Sequence, residues 1–92
     1  MKIGDLVKYS WAGSNRVALI LDIRLGGSAA EAWVFGARDR MLIQWLTGAG
    51  PKPRMYNDNG TACYPSEGVE IGWVPMKNAH GWWLFDKVAS LF

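Results

Sequence analysis

Covalent or acid–base catalysis needs a reactive side chain held beside a partner that activates it. This sequence offers one cysteine, Cys63, one histidine, His80, and scattered carboxylates without a recognisable spacing. Cys63 with His80 has the composition of a nucleophile and its base, and His80 with Asp86 that of a base and its orienting acid. Each has a plainer reading: Cys63 as a small buried hydrophobe, and His80, next to Gly81, as a surface loop residue. Neither Ser14 nor Ser28 lies in Gly-x-Ser-x-Gly, so a nucleophile elbow is absent. Gly48-Ala49-Gly50-Pro51-Lys52 has the glycines of a phosphate loop, but Pro51 removes an amide and no Gly-Lys-Ser/Thr follows. Asn57-Asp58-Asn59-Gly60 is composed like part of a calcium loop, yet the EF-hand spacing then requires a carboxylate where Met55 stands. A turn is the better reading there. Asn59-Gly60-Thr61 fits the glycosylation sequon, which matters only in a secreted chain. These residues point to a protein that is not an enzyme, with no catalytic residue, no metal, no cofactor and no evident small-molecule substrate.

The feature above background is aromatic. Six tryptophans, three tyrosines and three phenylalanines give a short chain large apolar areas from few side chains. Tyr56, Tyr64, Trp73, Trp82, Trp83 and Phe85 fall in the second half, and the consecutive Trp82 and Trp83 cannot both face one side of a strand. The plainer expectation is that these rings roof a small core. The sharper one makes Tyr56, Tyr64, Trp73, Trp82 and Trp83, with Lys52 and Arg54, a partner-binding surface. Exposed rings beside cations stack on unpaired bases and meet phosphate; equally, they dock on another protein, including a second copy of this chain. The protein partner is the favoured reading, because the charges are mixed and interfaces are enriched in Trp, Tyr and Arg.

Among the elements that must carry these residues, Gly4 to Tyr9 alternates imperfectly and reads as a first strand, followed by a turn-rich Ser10–Asn15. Arg16 to Arg24 is the clearest strand, with Val17, Leu19, Leu21 and Ile23 on one face and Ala18, Ile20, Asp22 and Arg24 on the other. Ala29 to Phe35 mixes helix-favouring alanines with strand-favouring Trp33, Val34 and Phe35, and local propensity leaves it undecided. Gly36–Arg40 reads as a hairpin loop into a third strand, Met41–Leu46, which pairs with Trp33–Phe35 if that piece is extended. From Thr47 to Gly81, repeated glycine and proline exclude a long helix. Within it, Asn-Gly at 59–60 suggests a short hairpin of Arg54–Tyr56 with Thr61–Tyr64, and Val69–Val74 alternates up to Pro75, which confines that strand to an edge or an end. Trp82 onward reads as a tight turn and a closing strand, Val88–Phe92, with a short helix as competitor because Leu84, Val88 and Leu91 share a helical face.

Length and composition bound the rest. The 92 residues have room for one core, so residues 1–92 are expected to form a single domain. Half the residues are hydrophobic and 20% are charged, which excludes a disordered chain. The formal net charge is +2 with both signs interspersed, short of the clustered positive field of proteins that rely on phosphate neutralisation. A lone cysteine rules out an internal disulfide and suits a reducing compartment. The start of the chain is not a secretory leader, and the longest apolar run, Val17–Leu21, is far below the roughly 20 residues of a spanning helix. A cytoplasmic location, without membrane contact, is the expectation.

The order Lys2-Ile3-Gly4-Asp5-Leu6-Val7, then Val17–Ile23, then Leu42-Ile43-Gln44-Trp45, then a Trp-containing turn into Val88–Leu91 resembles a family pattern. It is similar to the small stand-alone SH3-like barrels of tailed bacteriophages and, more distantly, to KOW and Tudor-type domains. The resemblance covers the first half and the last dozen residues. It implies an all-β SH3-like barrel with a long Gly/Pro-rich insertion, Thr47–Gly81, before the closing strand. In such barrels the Gly-Asp opening ends a turn and the Gln-Trp strand supplies a core tryptophan. It also implies a protein-binding or assembly module, a phage accessory or virion component in the host cytoplasm or the particle. A KOW- or Tudor-like nucleic-acid-binding barrel is the alternative.

Overall fold

Strands form where side chains alternate and where loops return the chain to an open edge. The structure, a computed structural model, describes residues 1–26, 39–63, 70–78 and 80–90. The described strands are β1 (Asp5–Tyr9), β2 (Arg16–Arg24), β3 (Arg40–Thr47), β4 (Met55–Tyr56), β5 (Ala62–Cys63), β6 (Ile71–Pro75) and β7 (Phe85–Ser90), with a single 3-10 turn at Trp11–Gly13. The protein is all-β: every strand pairs antiparallel in one sheet of order β5-β4-β6-β3-β2-β1-β7, with β5 and β7 at its two edges rather than paired with each other. The expected Trp33–Phe35 piece lies outside the described residues. Residues 85–90 are a strand and not the competing helix, because β7 pairs with β1 from Asp5↔Ser90 to Tyr9↔Phe85.

One face of this sheet is the core. Val7, Ala18, Ile20, Met41, Ile43, Trp45, Met55, Val74, Met76 and Phe85 form one buried cluster. Their pairing explains it: Val7↔Ala18, Ala18↔Trp45, Ile20↔Ile43 and Met41↔Val74 are cross-strand partners, and partners share a face. The sheet curls enough for Phe85 on β7 to lie 6.1 Å from Trp45 on β3, ring centre to ring centre, and 5.4 Å from Tyr9. Trp45, the tryptophan of the Gln-Trp strand, is buried and donates its indole N–H to Met55 Sδ at 3.1 Å, so its one polar atom is satisfied inside the core.

β2 departs once from strict alternation. Ala18 and Ile20 point inward and Val17 and Leu19 are half-buried on the outer side, but the register with β3 shifts between Ile20 and Asp22. Leu21 is the extra residue of a β-bulge, and a bulge inverts the alternation beyond it. Ile23, expected with Val17 and Leu19, therefore pairs with the buried Met41 and packs on the core. Asp22 and Arg24, which strict alternation would turn inward beside Ile20, go to the outer face instead.

Two further ties hold the periphery. The Gly-Asp opening forms a turn in which Gly4 N–H donates to Ile20 O and Asp5 N–H to Lys2 O. The Asp5 side chain, 1% exposed, accepts hydrogen bonds from the Ser90 hydroxyl and the Lys2 backbone N–H, with Lys87 Nζ at 3.8 Å. The Ser90 hydrogen bond foremost holds this carboxyl below its ordinary range, against the opposing effect of burial. The glycines at 48 and 50, suggestive of a phosphate loop, have a structural use: Asn15 N–H donates to Ala49 O, Ala49 N–H to Asn15 Oδ1, and Arg16 Nε to Gly50 O. That segment is stitched to the start of β2 by its own carbonyls and amides.

Candidate functional site

Two outward features carry the chemistry that the sequence leaves unassigned. The first is a tryptophan tip on the connection from β6 to β7. Leu84 N–H donates to Met76 O, Lys77 bridges antiparallel to Trp83, and Asn78 N–H donates to Trp82 O. The turn is then closed by Asn78: its carbonyl accepts from Gly81 N–H, and its side-chain Oδ1 accepts from His80 and Trp82 N–H. Gly81 sits at φ +84°, the left-handed region that glycine adopts without a Cβ penalty. A turn with this many internal bonds presents its side chains in a defined place.

What it presents is aromatic. Trp82 is 66% and Trp83 48% exposed. Trp11, 36% exposed on the 3-10 turn after β1, joins them: its ring centre is 6.4 Å from that of Trp82, and its Nε1 donates to Trp83 O at 3.3 Å. Lys77 Nζ lies 4.7 Å from the Trp83 ring centre, a cation–π contact. Ser10 Oγ donates to Asp86 Oδ2 beside this group, at 3.2 Å. Trp11 and Lys77 were not among the residues that sequence reasoning selects. The available signal was a bulky indole, Trp11, inside the polar turn Ser10–Asn15, where burial is hard to arrange.

The second feature is a recess of about 350 Å³ on the outer face, lined by Asp22, Arg24, Arg40, Leu42, Asp58 and Trp73. Four elements converge on it. Asp22↔Leu42, Leu42↔Trp73 and Arg24↔Arg40 are cross-strand partners on β2, β3 and β6, and Asp58 reaches in from the β4–β5 turn. Trp73 is 7% exposed but lies apart from the core cluster, on the opposite side of the sheet. Its Nε1 donates to Asp58 Oδ1 at 2.8 Å, and the Arg24 and Arg40 guanidinium carbons lie 5.9 and 5.7 Å from its ring centre.

The residues expected to form one partner surface are therefore distributed. Trp82 and Trp83 are on the tip. Tyr56, half-buried on β4, is the cross-strand partner of Trp73. Lys52, half-buried, and Arg54, exposed, precede β4, and β6, β3, β2 and β1 stand between β4 and β7 in the sheet order. Tyr64 lies outside the described residues. Asn57–Gly60 is the turn expected from Asn-Gly, closed by Asn57 N–H to Thr61 O and Gly60 N–H to Asn57 O. Cys63 is half-buried on β5, whereas His80 is exposed on the tip. Among the described residues, no group of three or more His, Cys, Asp or Glu is placed to hold a metal ion, and no helix is long and apolar enough to cross a membrane.

No protein-family model, curated protein or solved structure matches this chain.

Proposed function

We propose that this protein is a non-catalytic binding module that receives a protein partner on the Trp11–Trp82–Trp83 tip, on a curled sheet of SH3-like kind. By its resemblance to small phage barrels, an accessory or virion component is the setting. The observation that carries the reading is the exposure of three neighbouring indoles on a turn whose backbone is already bonded internally. Indole area left in water favours burial against a partner, and a preformed turn reduces the ordering cost of that step. Tryptophan is among the residues that dominate interface energetics.

Nucleic acid is the second reading, and Lys77 over Trp83 is the observation in its favour. The cations expected to serve it, Lys52 and Arg54, belong to the segment before β4 rather than to the tip. A displayed peptide library selected on the wild-type protein, with Trp82→Ala/Trp83→Ala as counter-selector, tests the proposal. Peptides that bind the wild type and are lost on the double variant are expected. Selections indifferent to the substitutions would overturn it. Light scattering across concentration reports whether a second copy is the partner. Fluorescence anisotropy with a single-stranded oligonucleotide at two salt concentrations reports the other reading, because phosphate contacts are strongest at low salt.

A further inference from the structure

The polar groups of the tip are mostly donors, and that narrows the partner it can take. Lys77 is exposed, with its ammonium held 4.7 Å from the Trp83 ring centre. Among the described residues it has no carboxylate partner. Asp86, the acid beside the indoles, is engaged on its other side: its Oδ2 accepts from Ser10 Oγ at 3.2 Å, and Lys8 stands opposite it on β1. The indole N–H of Trp11 is taken by Trp83 O, whereas those of Trp82 and Trp83 have no acceptor among the described residues. One ammonium and two indole N–H groups therefore stand together in need of acceptors.

Trp11 is aimed at this group by a strained backbone. Ala12, at φ +55° and ψ +31°, is the one described residue other than glycine in the left-handed region, which disfavours an L side chain. Ser14 N–H to Trp11 O and Trp11 Nε1 to Trp83 O hold the turn in that state. Strained residues of this kind gather at binding surfaces, where the surrounding structure over-determines them.

We propose that the tip recognises an acidic, aromatic peptide segment: an aromatic side chain of the partner packs on Trp11 and Trp82, and a neighbouring Asp or Glu carboxylate meets Lys77 and an indole N–H. This assignment rests on the tip being the protein-binding surface. The Trp11 and Trp82 rings lie 6.4 Å apart at a tilt of 41°, a spacing at which aromatic rings attract, so a third ring extends the cluster. A carboxylate supplies the acceptors that the donors lack and makes charge-assisted bonds with them. Lys77 is already ordered over Trp83, which lowers the entropy lost on binding. Nucleic acid is the poorer match, since its affinity is built from several neutralised phosphates and Lys77 is the one described cation over the rings of the tip.

A displayed library of random linear peptides, selected on the full chain, provides the test. Binders that are lost on Trp82→Ala/Trp83→Ala are expected to carry Asp or Glu next to an aromatic residue. One such peptide, synthesised with a fluorophore, is then titrated by anisotropy. Lys77→Gln is expected to weaken it about fivefold or more, the loss of one charge pair, with the melting temperature retained. Lys77→Arg should restore binding. Lys2→Gln removes the same charge in the opening turn, at the far end of the β1–β7 pair, and should leave binding unchanged. Changing the acid of the peptide to its amide should abolish the effect of Lys77→Gln. Tip-dependent binders without an acidic residue, or binding that survives Lys77→Gln, would overturn the acidic partner and leave the tip as the binding surface. A library with no binder lost on the double variant would overturn both. A single-stranded oligonucleotide that displaces the peptide and binds more tightly would overturn the peptide in favour of nucleic acid.

Discussion

Gly48→Ala probes the seat of the loop against which β2 begins. Gly48 has φ +107°, and a Cβ built there falls 2.5 Å from Arg16 Cα and Asn15 O and 2.9 Å from Asn15 C. Every one of those atoms is backbone, so no rotamer change can make room. The loop must lift, and the bonds that seat it are Asn15 N–H to Ala49 O at 3.0 Å, Ala49 N–H to Asn15 Oδ1 at 2.7 Å and Arg16 Nε to Gly50 O at 2.6 Å. An L residue with positive φ costs about 1–2 kcal/mol, and each lost hydrogen bond about 1 kcal/mol. With the three bonds lost they amount to about 4–5 kcal/mol, a large share of the roughly 5–15 kcal/mol that stabilises a domain. At about 4–8 °C per kcal/mol, the melting temperature drops by about 15 °C or more. Gly26→Ala is the control, since Gly26 has φ +73° but nothing within 4 Å of its Cβ position. It carries only the backbone penalty, about 1–2 kcal/mol. Thermal melts of the two variants side by side, followed by circular dichroism, isolate the close approach as their difference. Equal losses in the two would refute the reasoning, because the glycine at 48 would then serve its dihedral angle and not the packing.

Phe85→Ala removes the ring that joins Tyr9 to Trp45 across the curl, and a loss of about 3–5 kcal/mol in urea unfolding is expected. A loss under about 1 kcal/mol would mean that the curl does not depend on this contact. Trp82→Ala, at the most exposed indole, is expected to change stability by no more than about 0.5 kcal/mol, so any binding it abolishes is a surface effect. Acid sensitivity should be read at Asp5. Its folded carboxyl titrates below the ordinary value of 3.8, so its stabilisation is complete above that value and is lost as pH falls through the folded one. Ser90→Ala is therefore expected to lower the melting temperature at neutral pH and to converge on the wild type in strong acid; a gap that is constant with pH would exclude the linkage. At the alkaline end, burial raises the Tyr9 hydroxyl above 10.0, so its contribution holds below pH 10 and declines as pH rises through the folded value. Tyr9→Phe should flatten that alkaline decline, measured as melting temperature against pH.

Much of the strand layout was legible because alternation and turn chemistry are local. Arg16–Arg24 coincides with β2, the Asn-Gly turn sits between β4 and β5, and Pro75 ends β6, where its missing N–H does least harm. The side that each residue faces was less legible. Nothing in Leu19-Ile20-Leu21-Asp22 marks Leu21 as a bulge, since a bulge is set by how β2 matches β3, and that match is non-local. The expected binding surface divided for the same reason. Trp73 and Trp82 are nine positions apart in sequence, yet the pairing of β6 with β3 and of β7 with β1 sends one to the recess and the other to the tip.

By itself the sequence determined a chain dominated by strands and turns, and a Trp82-Trp83 pair that could not both face one side of a strand. These follow from side-chain period, propensity and steric limits that act over a few residues. Tertiary structure alone decided that Trp11 joins Trp82 and Trp83, that Trp73 lies on the far side of the sheet from the core, and that Arg24 and Arg40 meet over it. Those juxtapositions depend on strand register and sheet curl, which are summed over the whole fold and written in no short segment.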